Sequence, residues 1–63
     1  MKSEVIKIEY NEKGGVLDVT YNNGAKYRYF LIEPKIYEKR FNFNDDTEFV
    51  RKCLVNRYPS CSI

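Results

Sequence analysis

Apolar and polar residues alternate along three stretches in the first half of the chain, at residues 5–10, 16–21 and 25–30. A period of two is typical of a strand with one buried face. The pattern therefore predicts three strands joined by short turns in an antiparallel meander. The apolar set on the predicted inner face is Ile6, Ile8, Tyr10, Leu17, Val19, Tyr21, Tyr27 and Tyr29.

The turns predict how these strands pair. A two-residue Asn-Gly turn at Asn23-Gly24 would set Thr20 opposite Tyr27, mixing polar with apolar side chains, so we predict a three-residue loop over residues 22–24. A four-residue loop over residues 11–14 is predicted for the first turn. Each rung is a row of residues that face one another across the three strands. The two predicted inner rungs are Ile6–Val19–Tyr27 and Ile8–Leu17–Tyr29. The three predicted outer rungs are Val5–Thr20–Lys26, Lys7–Asp18–Arg28 and Glu9–Val16–Phe30.

Two short helices are predicted after the strands. Pro34 suits the first residue of a helix because its missing N–H would be unpaired there, and the apolar face of this helix is formed by Ile36, Tyr37 and Phe41 with Arg40 along its edge. Asp45 followed by Glu48 indicates a capping box that opens the second helix, which ends by Tyr58. Its predicted apolar face is Phe49, Val50, Cys53 and Leu54. The predicted fold is α+β, a β-β-β-α-α chain with both helices on the inner face.

Length and composition limit the domain count and the chemistry. A chain of 63 residues buries only about 60% of the surface that it exposes when unfolded, which leaves no room for a second core. Residues 1–63 are therefore predicted to form one small domain. The chain has no His and two Cys, which argues against the usual general base and against His-dependent catalysis. The spacing of Cys53 and Cys61 is not that of a zinc ligand pair. We therefore predict a protein that is not an enzyme and that has no metal or cofactor.

Charge placement is informative about location and partners. Charged residues interrupt the apolar residues of Met1–Lys7, and the chain has no long apolar stretch, which predicts no signal peptide, no membrane span and a cytoplasmic location. There the thiols should stay reduced, so no disulfide is predicted. The net charge is +2, and the basic excess lies in residues 34–63.

The sequence resembles the KTSC domain, a short module named from the C-terminus of some lysyl-tRNA synthetases and also found as stand-alone bacterial and phage proteins. The resemblance covers nearly the whole chain and rests on Gly15-Val16-Leu17-Asp18-Val19, Gly24, Tyr27-Arg28-Tyr29, Pro34-Lys35-Ile36-Tyr37 and Asn56-Arg57-Tyr58-Pro59. It departs from the family between the helices, at residues 44–51. The synthetase context implies RNA binding by analogy.

Two function classes follow. The first is a non-enzymatic module that binds RNA or single-stranded nucleic acid. Its candidate residues are Lys26, Arg28, Phe30, Arg57 and Tyr58. Stacking of bases on Tyr27 and Tyr29 is the alternative within this class, but the predicted face favours a core role for both rings. Arg57 could equally complement a helix dipole.

The second function class is a protein-interaction or inhibitor module that acts through a sheet edge or captures a small ligand as a homodimer. Both outer strands of a three-stranded meander have a free edge, and such edges favour pairing with another chain. Homodimerisation through the third strand or the outer face is therefore expected within this class. The sequence leaves the choice between the two classes open.

Overall fold

The computed structural model describes residues 3–63 and shows one sheet covered on one face by helical segments. The strands are β1 (Val5–Asn11), β2 (Val16–Tyr21), β3 (Lys26–Tyr29) and β4 (Ser60–Ser62). The helices are α1 (Pro34–Glu38), continued by a 3-10 turn at Lys39–Asn42, and α2 (Asp46–Phe49), continued by a π-helical turn at Val50–Leu54. The sheet is antiparallel, with the order β1-β2-β3-β4.

The predicted pairing of β2 with β3 is confirmed. Leu17 lies opposite Tyr29, and Val19 lies opposite Tyr27. The connecting loop has three residues, and Gly24 within it has φ 89°, a left-handed conformation that glycine adopts without steric cost. The amide of Tyr21 donates to the Ala25 carbonyl at 2.8 Å and closes this loop.

The predicted pairing of β1 with β2 is wrong by two residues. Ile8 lies opposite Val19 and Tyr10 opposite Leu17, because the first loop spans residues 12–15. Gly15, with φ 63°, supplies the left-handed residue of this turn. A shift of two keeps the side chains of β1 from Lys7 onward on their predicted faces.

Ile6 is the residue of β1 that the alternation placed on the wrong side. The register changes between Val5 and Lys7, and Ile6 is 65% exposed. A bulge of this kind adds one residue to a strand and reverses the alternation beyond it. Val5, which was predicted on the outer face, therefore packs against the core instead, opposite Tyr21.

The two-residue shift also changes the outer rungs. Asp18 lies between Glu9 and Arg28, and Lys7 lies opposite Thr20. The prediction that Asp18 sits between two cations is therefore wrong on the β1 side. The Asp18 and Arg28 pair across β2 and β3 is confirmed, with Nε to Oδ1 at 2.8 Å.

The fourth strand was not predicted. Residues of β4 pair with β3, with Cys61 opposite Arg28. The prediction of a free edge on the third strand is therefore wrong, since β4 occupies it, and dimerisation through that edge would require β4 to leave. Within residues 3–63, the open sheet edges belong to β1 and β4.

The first helical segment is shorter than predicted. Its α-helical part ends at Glu38, and Phe41, predicted on the apolar face, is 78% exposed. The change to a 3-10 turn alters the rotation per residue, which moves Phe41 off the packed side. Tyr37 does pack inward, with its ring stacked on that of Tyr10 at 4.5 Å between centroids.

The second helical segment supplies much of the core. The Asp45 carboxylate accepts from the Glu48 amide at 2.8 Å, which confirms the predicted N-cap. The core side chains, all exposed by 5% or less, are Leu17, Val19, Tyr29, Ile32, Phe49, Val50 and Leu54. Ile32 comes from the connection between β3 and α1, and the other six come from the inner face of the sheet and from the second helical segment. The predicted location of this segment on the inner face is therefore confirmed. None of the helices among residues 3–63 has the length and apolar character needed to span a membrane.

Candidate functional site

The open face of the sheet holds three of the predicted binding residues. Lys26 is exposed, while Arg28 and Phe30 are half-buried. Phe30 and Arg28 line a cavity of about 470 Å³ together with Glu9 and Asp18. The structure therefore gathers Arg28 and Phe30, but two carboxylates lie in the same depression.

Ion pairing neutralises most of this face. Arg28 makes two hydrogen bonds to Asp18, Nε to Oδ1 at 2.8 Å and Nη2 to Oδ2 at 3.1 Å. Lys7 pairs with Glu9 at 2.9 Å. The guanidinium lowers the pKa of Asp18 by hydrogen bonding, so this carboxylate stays charged and holds Arg28 near neutral pH. The outer face is consequently a weak anion-binding surface.

The other two predicted residues lie together at a different place. Arg57 and Tyr58 line a cavity of about 290 Å³ between the two helical segments, which we call the basic cavity. Its lining residues are Ile36, Lys39, Lys52, Cys53, Arg57 and Tyr58. Three of the six are cations, and no carboxylate is among them. Lys39 was not among the predicted site residues, because its distance in sequence from Lys52 and Arg57 gives no sign that the two helical segments bring these side chains together.

Lys52 is the cation of the basic cavity that has a carboxylate partner. Its Nζ lies 3.1 Å from Glu48 Oε1, one helical turn away, and its side chain is 56% exposed. Exposed pairs at this spacing contribute only about 0.3–0.5 kcal/mol. An anion in the cavity can therefore compete with Glu48 for Lys52.

A third cavity is lined by tyrosines, and we call it the tyrosine cavity. Its volume is about 370 Å³, and its lining residues are Ser3, Tyr21, Asn23, Ala25, Tyr27, Tyr29, Val55, Asn56 and Ser60. Tyr29 is 5% exposed, as predicted for a core ring, but Tyr27 is 38% exposed. Tyr27 thus lies on the predicted face of the sheet without being enclosed by the core.

Burial changes the acid–base behaviour of the tyrosine cavity. Burial of the Tyr29 phenol raises its pKa to about 12 from an ordinary value of 10.0, and the neighbouring Tyr21 is a smaller cause of the same shift. Burial also raises the pKa of Tyr21. Both phenols therefore stay protonated throughout the physiological pH range.

This raised pKa predicts alkaline destabilisation. A Tyr29 pKa that is higher in the folded than in the unfolded state stabilises the fold fully below about pH 10, and this contribution is lost as pH rises toward 12. Tyr29→Phe, which cannot ionise, should lose less stability than the wild type between pH 9 and pH 11.5. Urea midpoints measured across this range test the difference. Parallel curves for the two proteins would contradict the assignment.

Among residues 3–63, no three His, Cys, Asp or Glu side chains are grouped as metal ligands would be. Cys53 is half-buried and Cys61 is exposed, and neither forms a disulfide. The basic cavity and the tyrosine cavity are lined by aromatic and aliphatic side chains, amides, hydroxyls, cations and the Cys53 thiol.

Comparison with known proteins agrees with this architecture. The structure is similar to the crystal structure of a KTSC domain protein from Yersinia pestis, with a TM-score of 0.83 and 14% identity over 100% of this chain and 89% of that chain. Agreement at this low identity shows a shared fold. No curated protein matches the sequence. The family model of the KTSC domain matches residues 2–58, nearly the whole chain, and the chain therefore belongs to the KTSC family.

Proposed function

We propose that this small KTSC domain protein is a non-enzymatic module that binds RNA or another single-stranded nucleic acid, with its phosphate contacts in the basic cavity. The observation that carries the proposal is the convergence of Lys39, Lys52 and Arg57 on one depression that has no carboxylate in its lining. Phosphate contacts of Lys and Arg dominate the affinity of proteins for nucleic acids.

The basic cavity is better suited to phosphate than the outer face. On the outer face Arg28 donates two hydrogen bonds to Asp18, and an incoming phosphate would have to replace this carboxylate as the acceptor. In the basic cavity the ion pair of Lys52 is exposed and weak. Of the residues predicted from sequence, Arg57 and Tyr58 therefore support the proposal more strongly than Lys26, Arg28 and Phe30.

An aromatic ring beside the cations favours a single strand over a duplex. Tyr58 is half-buried and packs against the core while also lining the basic cavity. Bases of a single strand are free to stack on such rings, whereas those of a duplex are already stacked on each other. The proposal places the protein in the cytoplasm, where Cys53 and Cys61 stay reduced.

The proposal predicts a defined salt dependence. With three cations engaged, log K for a 12-nucleotide RNA should fall with log salt at a slope of about −2, that is about −0.7 for each phosphate contact on a single strand. Arg57→Gln should weaken binding at low salt and reduce the slope by about 0.7, because one contact is lost. Fluorescence anisotropy over a salt series measures both quantities.

Matched substitutions separate the competing surfaces. Lys13→Gln, in the exposed first turn, removes the same charge away from the basic cavity and should leave the slope unchanged. A slope that responds to Lys26→Gln but not to Arg57→Gln would transfer the contacts to the outer face. Absence of binding at low salt, with a defined dimer or protein complex in native mass spectrometry, would overturn the proposal in favour of an interaction module.

A further inference from the structure

Among residues 3–63, the side chains that line the tyrosine cavity are all uncharged. Its walls are aromatic rings, two aliphatic side chains, and hydroxyl and amide groups, and its volume of about 370 Å³ lies within the range of small-molecule sites. A lining of this chemistry favours a flat, uncharged group that carries hydrogen-bond donors and acceptors. An isolated phosphate would find no cation among these described lining residues.

The rings of the cavity are held in place by one another. Tyr21 and Tyr27 meet edge to face, with centroids 5.8 Å apart and an angle of 85° between the ring planes. Tyr29 is buried beside them. Because Tyr27 is 38% exposed and yet supported by Tyr21, it offers a ring surface whose orientation does not have to be ordered on binding.

Two amide side chains border the cavity, and they differ in availability. The Asn23 side chain accepts from the Ala25 amide at 3.0 Å and donates to Ser3 Oγ at 3.2 Å, so it is used in holding the loop. Asn56 is exposed and has φ 63°, a left-handed conformation that asparagine tolerates better than most residues. Its amide offers both a donor and an acceptor at the cavity.

Consecutive residues line the two cavities. Asn56 lines the tyrosine cavity, and Arg57 lines the basic cavity. Their Cα atoms are separated by one peptide unit, about 3.8 Å. The linings of the two cavities therefore come within one residue of each other along the chain.

We propose that the tyrosine cavity receives one nucleobase of the strand whose phosphates occupy the basic cavity, with Tyr27 as the stacking ring and Asn56 as the group that reads the edge of the base. This inference rests on the proposed function and deepens it. It makes binding depend on bases as well as phosphates, and it makes the module selective among bases at one position.

The experiment compares two ligands of equal charge, a 12-nucleotide RNA and the same oligomer with every base removed. Tyr27→Leu should weaken binding of the base-bearing RNA about tenfold, because alanine substitution of a stacking ring weakens binding by about 5- to 140-fold. It should leave binding of the abasic oligomer and the salt slope unchanged. Circular dichroism confirms that the variant is folded.

Base selectivity is tested with Asn56→Gly, which removes the amide while glycine keeps the left-handed backbone. Among 12-mers of each single base, this variant should reduce the ratio of the tightest to the weakest affinity at least threefold. An unchanged ratio would overturn the role of Asn56.

The nucleobase site and the proposed function are tested by separate results. If Tyr27→Leu binds both oligomers as the wild type does, or weakens both equally, the nucleobase site is refuted. If the salt dependence of log K is still reduced by Arg57→Gln in that case, the proposed function is retained. If neither oligomer binds at low salt, the proposed function fails and the nucleobase site fails with it.

Discussion

Replacing Phe49 by alanine is expected to unfold most of the protein at 25 °C. Phe49 has no exposed surface and is the largest fully buried side chain of the core. Truncation of a buried phenylalanine costs about 3–5 kcal/mol through lost burial and the cavity left behind. A single core in a chain of this size supplies a net free energy of unfolding of only about 3–5 kcal/mol, so the change removes most of it. Urea unfolding followed by far-UV circular dichroism measures the loss.

Phe41→Ala is the matched control for this prediction. It deletes the same atoms at a position that is 78% exposed, so the free energy of unfolding should change by no more than about 0.5 kcal/mol. Similar losses for the two variants would contradict the observed core, since they would require Phe41 to be packed. The lost packing of Phe43 against Phe49, with ring centroids 6.1 Å apart, contributes to the expected difference.

Tyr29→Ala is expected to have the second large effect, also about 3–5 kcal/mol. Tyr29 lies on the inner face, 5% exposed, opposite Leu17 on β2. Its removal opens the core from the sheet side, and the remaining stability is too small to keep the chain folded. Urea denaturation gives the free energy of unfolding, and loss of dispersed amide resonances in an NMR spectrum reports the unfolded state independently.

Arg28→Ala provides the comparison from the neighbouring position. Arg28 points to the open face, where its pair with Asp18 is partly exposed, and pairs of that kind contribute about 0–1 kcal/mol. We therefore expect a loss below about 1 kcal/mol. An Arg28 variant less stable than the Tyr29 variant would mean that β3 presents its opposite face to the helices.

The strand alternation predicted much of the fold. The pairing of β2 with β3 followed from requiring Val19 and Leu17 to share a face with Tyr27 and Tyr29. The same requirement could not distinguish a register from one shifted by two, because a two-residue shift keeps every face. The register of β1 depends on which of the adjacent Gly14 and Gly15 adopts the left-handed conformation, and it is Gly15 that does so. The pattern of apolar residues does not distinguish between these two glycines.

The candidate site was predicted less completely than the fold. Arg57 and Tyr58 were identified from a motif near the chain end, but their partner Lys39 comes from another segment. Likewise, the rings of Tyr27 and Tyr29 have the same alternation and very different exposure. How far the helical layer extends over the sheet decides that difference, and no local pattern encodes it.

Local preferences in the sequence by themselves determined the meander, the second turn, the Asp45 cap and the face of the sheet that packs on the second helical segment, because each depends on neighbouring residues. Tertiary structure alone decided the bulge at Ile6, the pairing of β4 along β3 and the two cavities beside Asn56 and Arg57. These features depend on contacts between residues distant in sequence. A three-residue strand such as β4 has too short a pattern to be recognised before its partner is in place.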